Sequence, residues 1–167
     1  MMMRSKLLTM VFASMLFGLV STAQAQTPAP DPAATGTWVL DTAKSKTTHP
    51  AGMPKSGERT YAIENNAEKM NATVVAADGK EIKENFVGMA PDGKERPFQS
   101  TALGDGVTLA ATSSAPKHVN FVLKKDGKDI ITGTRTISAD GKVMTIAIKG
   151  TTPDGKPYEA SMVWNKK

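Results

Sequence analysis

The chain contains no cysteine in its 167 residues. That removes disulfides, thiol catalysis and thiolate metal sites as sources of stability or function. Histidine occurs twice, at His49 and His118, and the two share no metal-ligand spacing. Aromatic residues make up only 5% and fall about one per apolar segment. A nucleic-acid stacking platform needs aromatics on adjacent strands amid a basic groove, and an outer-membrane barrel needs aromatic girdles and an apolar outer face. Neither pattern is present. The glycines sit singly in turns, so no phosphate-binding loop is found, and no serine stands in a Gly-x-Ser-x-Gly frame. The reading therefore assigns no enzymatic activity, no catalytic residue, no cofactor, no metal and no nucleic-acid partner.

Only one long apolar run occurs, and it lies at the start. Arg4 and Lys6 precede the apolar residues 7–20, and Ala23-Gln24-Ala25 follow. A basic start, a short apolar core and small residues before a cut describe a secretory signal peptide. Residues 1–25 are thus expected to be removed after Ala25, placing the protein in the periplasm or the medium. Two of the 21 basic residues leave with that segment and all 16 acidic residues stay, so the formal charge falls from +5 to +3. Lysines spaced one per turn make no basic stripe.

What the chain has in quantity is one turn. Asp-Gly-Lys occurs at Asp78, Asp92, Asp126, Asp140 and Asp154. Asp-Gly between alternating apolar runs signals a hairpin. Proline before the aspartate, as at Pro91 and Pro153, requires instead a type I turn followed by a left-handed glycine. Strands are expected over residues 35–41, 58–66, 69–77, 80–89, 94–102, 106–113, 118–125, 128–138, 142–151 and 156–165. Glycines fourteen residues apart, at 79 and 93 and at 127, 141 and 155, leave strands long enough for a closed barrel rather than a small sandwich. Residues 26–34, with Pro28, Pro30 and Pro32, read as a disordered leader. Residues 42–57, interrupted by two prolines and two glycines, read as a long loop near the barrel mouth. The domain is expected to span residues 35–167.

Within the strands Tyr61 alternates with Ile63, Ile82 with Phe86, Val119 with Phe121 and Leu123, and Tyr158 with Ala160, Met162 and Trp164. One face is buried and one wet. Tyr61, Phe86, Phe98 and Phe121 are the candidate lining of an interior pocket, chosen by face and size. The fold class is all-β, an antiparallel up-and-down meander closed into a barrel of about eight to ten strands.

Gly36-Thr37-Trp38, opening the first strand, resembles the lipocalins. More narrowly, Gly36-Thr37-Trp38-Val39-Leu40-Asp41 with Lys44-Ser45, Thr132-Gly133-Thr134-Arg135 and Lys149-Gly150-Thr151 resembles small exported bacterial lipocalin-like proteins of unassigned function. The resemblance spans residues 35 to 165. It implies a lipocalin-like barrel that binds a small apolar molecule, with Trp38 closing one end. Arg135 is expected to stack on Trp38 or Trp164, and the three residues form a structural barrel-end group. The second reading is a structural or interaction module of the bacterial envelope with a filled barrel that meets other proteins through its loops, and under either reading a monomer is expected. Neither reading embeds the chain in a membrane.

Overall fold

The computed structural model describes residues 28–167. The expected signal peptide and its cleavage site lie outside the described residues. A short 3-10 turn, η1 (Pro32–Ala34), precedes eleven antiparallel strands. They are β1 (Gly36–Thr47), β2 (Ser56–Glu64), β3 (Ala67–Val75), β4 (Glu81–Met89), β5 (Arg96–Pro97) and β6 (Gln99–Ser100), followed by β7 (Val107–Ala115), β8 (His118–Lys125), β9 (Lys128–Ile137), β10 (Val143–Thr151) and β11 (Pro157–Lys166). Among the described residues no helix is long and apolar enough to cross a membrane.

The strands form one nearly closed barrel. Its hydrogen-bonded order is β5-β7-β8-β9-β10-β11-β1-β2-β3-β4-β6. The outer members β5 and β6 are separated in sequence by Phe98 alone. One short stretch, Arg96 to Ser100, therefore pairs with β7 on one side and with β4 on the other. Phe98 N–H donates to the Val107 carbonyl at 2.9 Å, and Thr101 N–H donates to that of Lys83 at 3.0 Å. Counting that stretch as one strand gives the ten strands expected from the sequence.

Four of the five Asp-Gly-Lys turns join neighbouring strands, at Asp78, Asp126, Asp140 and Asp154. All five glycines take left-handed φ, between 71° and 91°, whereas Asp126 alone among the aspartates joins them, at 51°. Asp126-Gly127 is therefore a primed two-residue turn, and Asp154-Gly155 shows the type I pattern that its preceding proline demands. The Asp92 copy departs from expectation because it is no hairpin. β4 and β5, on either side of it, do not pair; Gly93 N–H instead donates to the Ala111 carbonyl at 2.8 Å. The Asp92 carboxylate takes both ends of the Arg96 guanidinium, at 2.7 and 2.8 Å. This corner carries the chain into the closing segment.

Two further expectations are corrected. β1 runs to Thr47, so the loop read over residues 42–57 is confined to residues 48–55. A bulge between Asp41 and Lys46 lets the strand continue: Ser45 Oγ donates to the Asp41 carbonyl at 2.7 Å and accepts from Val163 N–H at 2.9 Å. The prolines and glycines that suggested the loop all lie beyond Thr47. The leader read as disordered is docked at its end. Asp31 caps η1 by accepting from Ala33 N–H and Lys117 N–H at 2.8 and 2.6 Å, and Ala34 is fully buried against the core. The Ala34 carbonyl accepts from the Trp38 indole N–H at 2.8 Å, which satisfies a group that burial would otherwise orphan.

The Arg96 guanidinium and then the Lys94 backbone N–H hold the Asp92 carboxyl well below the usual carboxylate range. A depressed acid stabilises the fold above its unfolded pKa of about 3.9 and ceases to do so as pH falls. Denaturant midpoints at pH 7 and pH 3 are expected to differ less in Asp92→Asn than in the unmodified chain. An identical loss in both would show that the corner does not depend on this charge.

Candidate functional site

Alternation sends one side chain in two into the barrel, and the interior is wider than those side chains fill. A cavity of about 370 Å3 remains. The 48–55 loop contributes His49, Ala51, Gly52 and Pro54 to its lining. All four residues chosen from the sequence, Tyr61, Phe86, Phe98 and Phe121, line it. Tyr61 and Phe86 are tilted neighbours with ring centroids 6.3 Å apart. The threonines at 132, 134 and 136 alternate with the cavity-lining Ile131 and Arg135, so they belong to the outer face.

Three strand glycines seat three of the aromatic rings. A Cβ built on Gly57 would come within 2.9 Å of Trp164, one on Gly133 within 2.6 Å of Phe121, and one on Gly150 within 2.6 Å of Tyr158. Phe121 and Gly133 are cross-strand partners, as are Tyr158 and Gly150. A glycine inside a strand weakens it unless something packs into the gap. Here the rings of Trp164, Phe121 and Tyr158 occupy the space that side chains at Gly57, Gly133 and Gly150 would take.

The floor is an ion pair. Arg135 on β9 and Glu68 on β3 face each other across the barrel through two hydrogen bonds of 2.8 and 2.6 Å. Their side chains are 8% and 7% exposed. Burial alone would push the Arg135 guanidinium down, but the hydrogen bonds and charge of Glu68 outweigh it and hold it above its usual value. Glu68 and Arg135 also line a recess of about 20 Å3 on their far side, beneath Pro30 and Asp31. The pair therefore partitions the cavity from the end that η1 covers.

Arg135 does not stack on either tryptophan, contrary to the sequence reading. Its guanidinium lies over the Tyr61 ring at 4.9 Å. The tryptophans are taken by nearer cations: Lys166 lies over Trp38 at 5.1 Å and Arg59 over Trp164 at 4.2 Å. Register explains the exchange, because Trp38 is the direct partner of both Arg59 and Lys166, whereas Arg135 sits on a strand that does not adjoin β1. The three residues grouped as a barrel end are thus divided. Trp38 lies under η1, Arg135 forms the floor, and Trp164 belongs to the cavity wall.

A second charged pair stands on the cavity wall. Arg59 Nη2 is 3.6 Å from Glu84 Oε2, beyond hydrogen-bond distance. Arg59 Nη1 donates to the Tyr61 hydroxyl at 3.2 Å. Burial, and then the charge of Glu84, push the Tyr158 phenol up from its usual value. His49 packs edge-on to the Tyr158 ring at 4.5 Å. Among the described residues three buried side-chain polar atoms have no hydrogen-bond partner: Arg59 Nε, Ser100 Oγ and Trp164 Nε1. All three residues line the cavity.

Arg59, Glu68 and Glu84 were absent from the sequence-based site. Their signal was phase. Arg59 is two residues from Tyr61, Glu84 lies between Ile82 and Phe86, and Glu68 is two residues from Met70, each in step with the inward set. No model of a known protein family matches this chain, and no curated protein is similar to it.

Removing one member of a buried ion pair leaves the other charge uncompensated. Glu68→Gln is expected to destabilise the barrel by about 3–5 kcal/mol in denaturant unfolding, and Glu68→Leu with Arg135→Met to recover most of it. A double variant no more stable than the single one would contradict this account of the floor.

Proposed function

We propose that this chain is an exported lipocalin-like barrel that binds a small, mostly apolar molecule in its interior. The observation that carries the reading is the cavity of about 370 Å3, walled by phenylalanine, isoleucine, leucine and methionine. It falls within the usual range of small-molecule pockets, about 300–1,000 Å3. Left unfilled, such a cavity leaves its lining side chains without packing partners on one side. Total stabilities are only about 5–15 kcal/mol, so an unfilled interior is a sacrifice for a protein whose barrel serves as scaffold alone.

The outer surface supports a barrel that works in water. Val87, 71% exposed, is the one strongly exposed large apolar side chain among the described residues. A lipid-facing barrel needs a continuous apolar band. The buried carboxylate of Glu68 is committed to Arg135, which suits a structural element better than an acid or base. The resemblance at Gly36-Thr37-Trp38 and the basic-apolar-small order of residues 1–25 support the same reading of an exported binding protein.

N-phenyl-1-naphthylamine, an uncharged apolar fluorophore, is expected to bind with saturable enhancement and a single site. Ala160 lines the cavity, and Ala160→Phe is expected to weaken that uptake by tenfold or more, about 1.4 kcal/mol, with the thermal midpoint retained. No saturable uptake, or uptake unaltered by Ala160→Phe, would return the barrel to the role of a scaffold that holds no ligand. For export, N-terminal sequencing of the protein secreted by its host should begin at Gln26; a chain that still begins at Met1 would refute the cleavage assignment.

A further inference from the structure

We propose that the polar end of the ligand is uncharged and carries a hydrogen-bond donor and acceptor side by side, seated against Arg59, Glu84 and Ser100. This rests on the cavity being a ligand site. Four formal charges line the cavity, Arg59, Glu68, Glu84 and Arg135, and they sum to zero. They are not equivalent. Glu68 and Arg135 are closed on each other by two hydrogen bonds. Arg59 and Glu84 stand 3.6 Å apart, too far for one.

Register places the open pair in a single row. Arg59 is the cross-strand partner of Ala72, Ala72 of Glu84, and Glu84 of Ser100. The row thus runs donor, small residue, acceptor, hydroxyl. Ala72 contributes only a methyl group between the two charged side chains, and both of those side chains, unlike Ala72, line the cavity. Arg59 Nε and Ser100 Oγ have no partner among the described residues. Buried polar groups without partners favour a ligand that completes them and disfavour one that does not.

The neutrality of the row selects the ligand's charge. A carboxylate would meet Arg59 but stand beside Glu84. An ammonium would meet Glu84 but stand beside Arg59. Either ion would also give up its hydration on entering an apolar barrel without a net opposite charge to replace it. A primary amide fits both sides: its carbonyl accepts from Arg59, its N–H donates to Glu84, and Ser100 serves either. The rest of the ligand is apolar, to match Phe86, Phe98 and Phe121.

Isothermal titration with octanamide, octanoate and octylamine separates head group from chain. Octanamide is expected to bind at least about tenfold more tightly than either ion, the size of effect that unpaired buried groups produce. Glu84→Gln is expected to reverse the order in favour of octanoate, and Arg59→Gln in favour of octylamine. Equal affinities for the three, or an order that Glu84→Gln leaves unchanged, would overturn the head-group assignment alone. Binding of none of the three would overturn the ligand-site reading beneath it.

Discussion

A sheet becomes a barrel only if its first and last strands meet, and here they meet through Arg96 to Ser100. Each side of that stretch holds a ladder of two residue pairs, against β7 and against β4. Elsewhere the ladders are longer, from four registered pairs between β1 and β2 to nine between β10 and β11. The width of the interior, the placing of Phe98 and Ser100 on its wall, and the burial of everything inside follow from that short closure. The Asp92 carboxylate, forked on Arg96, orients the chain into it. The turn that looks like a fifth hairpin is thus the corner at which the sheet joins itself.

Closure at this strand number produces an interior that its own side chains do not fill. The chain manages the excess in two ways. Near the covered end it spans the barrel with Glu68 and Arg135, long side chains that reach across and satisfy each other. Above them the rings of Phe121, Tyr158 and Trp164 occupy the space that side chains at Gly133, Gly150 and Gly57 would take. One charged pair is closed and the other, Arg59 with Glu84, is held apart. The floor pair is locked by its hydrogen bonds; under the proposed reading, the wall pair keeps hydrogen-bonding capacity that a ligand's polar group would complete. The same residue types thus form both floor and wall, and the difference lies in a separation of about one ångström.

Most of the fold was legible because it rests on local signals. Asp-Gly, Asn65-Asn66 and Gly104-Asp105-Gly106 mark turns through backbone conformations that few residues adopt, and two-residue alternation assigned the faces between them. The lining phenylalanines followed from face and size. What the sequence obscured depended on partners distant along the chain. Residues 42–47 lack alternation because of the bulge, yet Ser45 holds them to Val163. The end of the leader looks disordered by composition, yet Asp31 finds Lys117. Arg59, Glu68 and Glu84 stood in inward phase all along. Charge in an inward position reads as an error of phase until a partner across the barrel is known, and Arg135 is 67 residues from Glu68.

The central claim is that the space above the Glu68–Arg135 floor is occupied in the working protein. Native mass spectrometry of the protein, purified from its own host without denaturation, tests it most directly. The account predicts a population heavier than the polypeptide by one small molecule, released on denaturation and reduced in Ala160→Phe. A bare polypeptide mass in repeated native preparations, with Ala160→Phe indistinguishable from the unmodified chain, would contradict it.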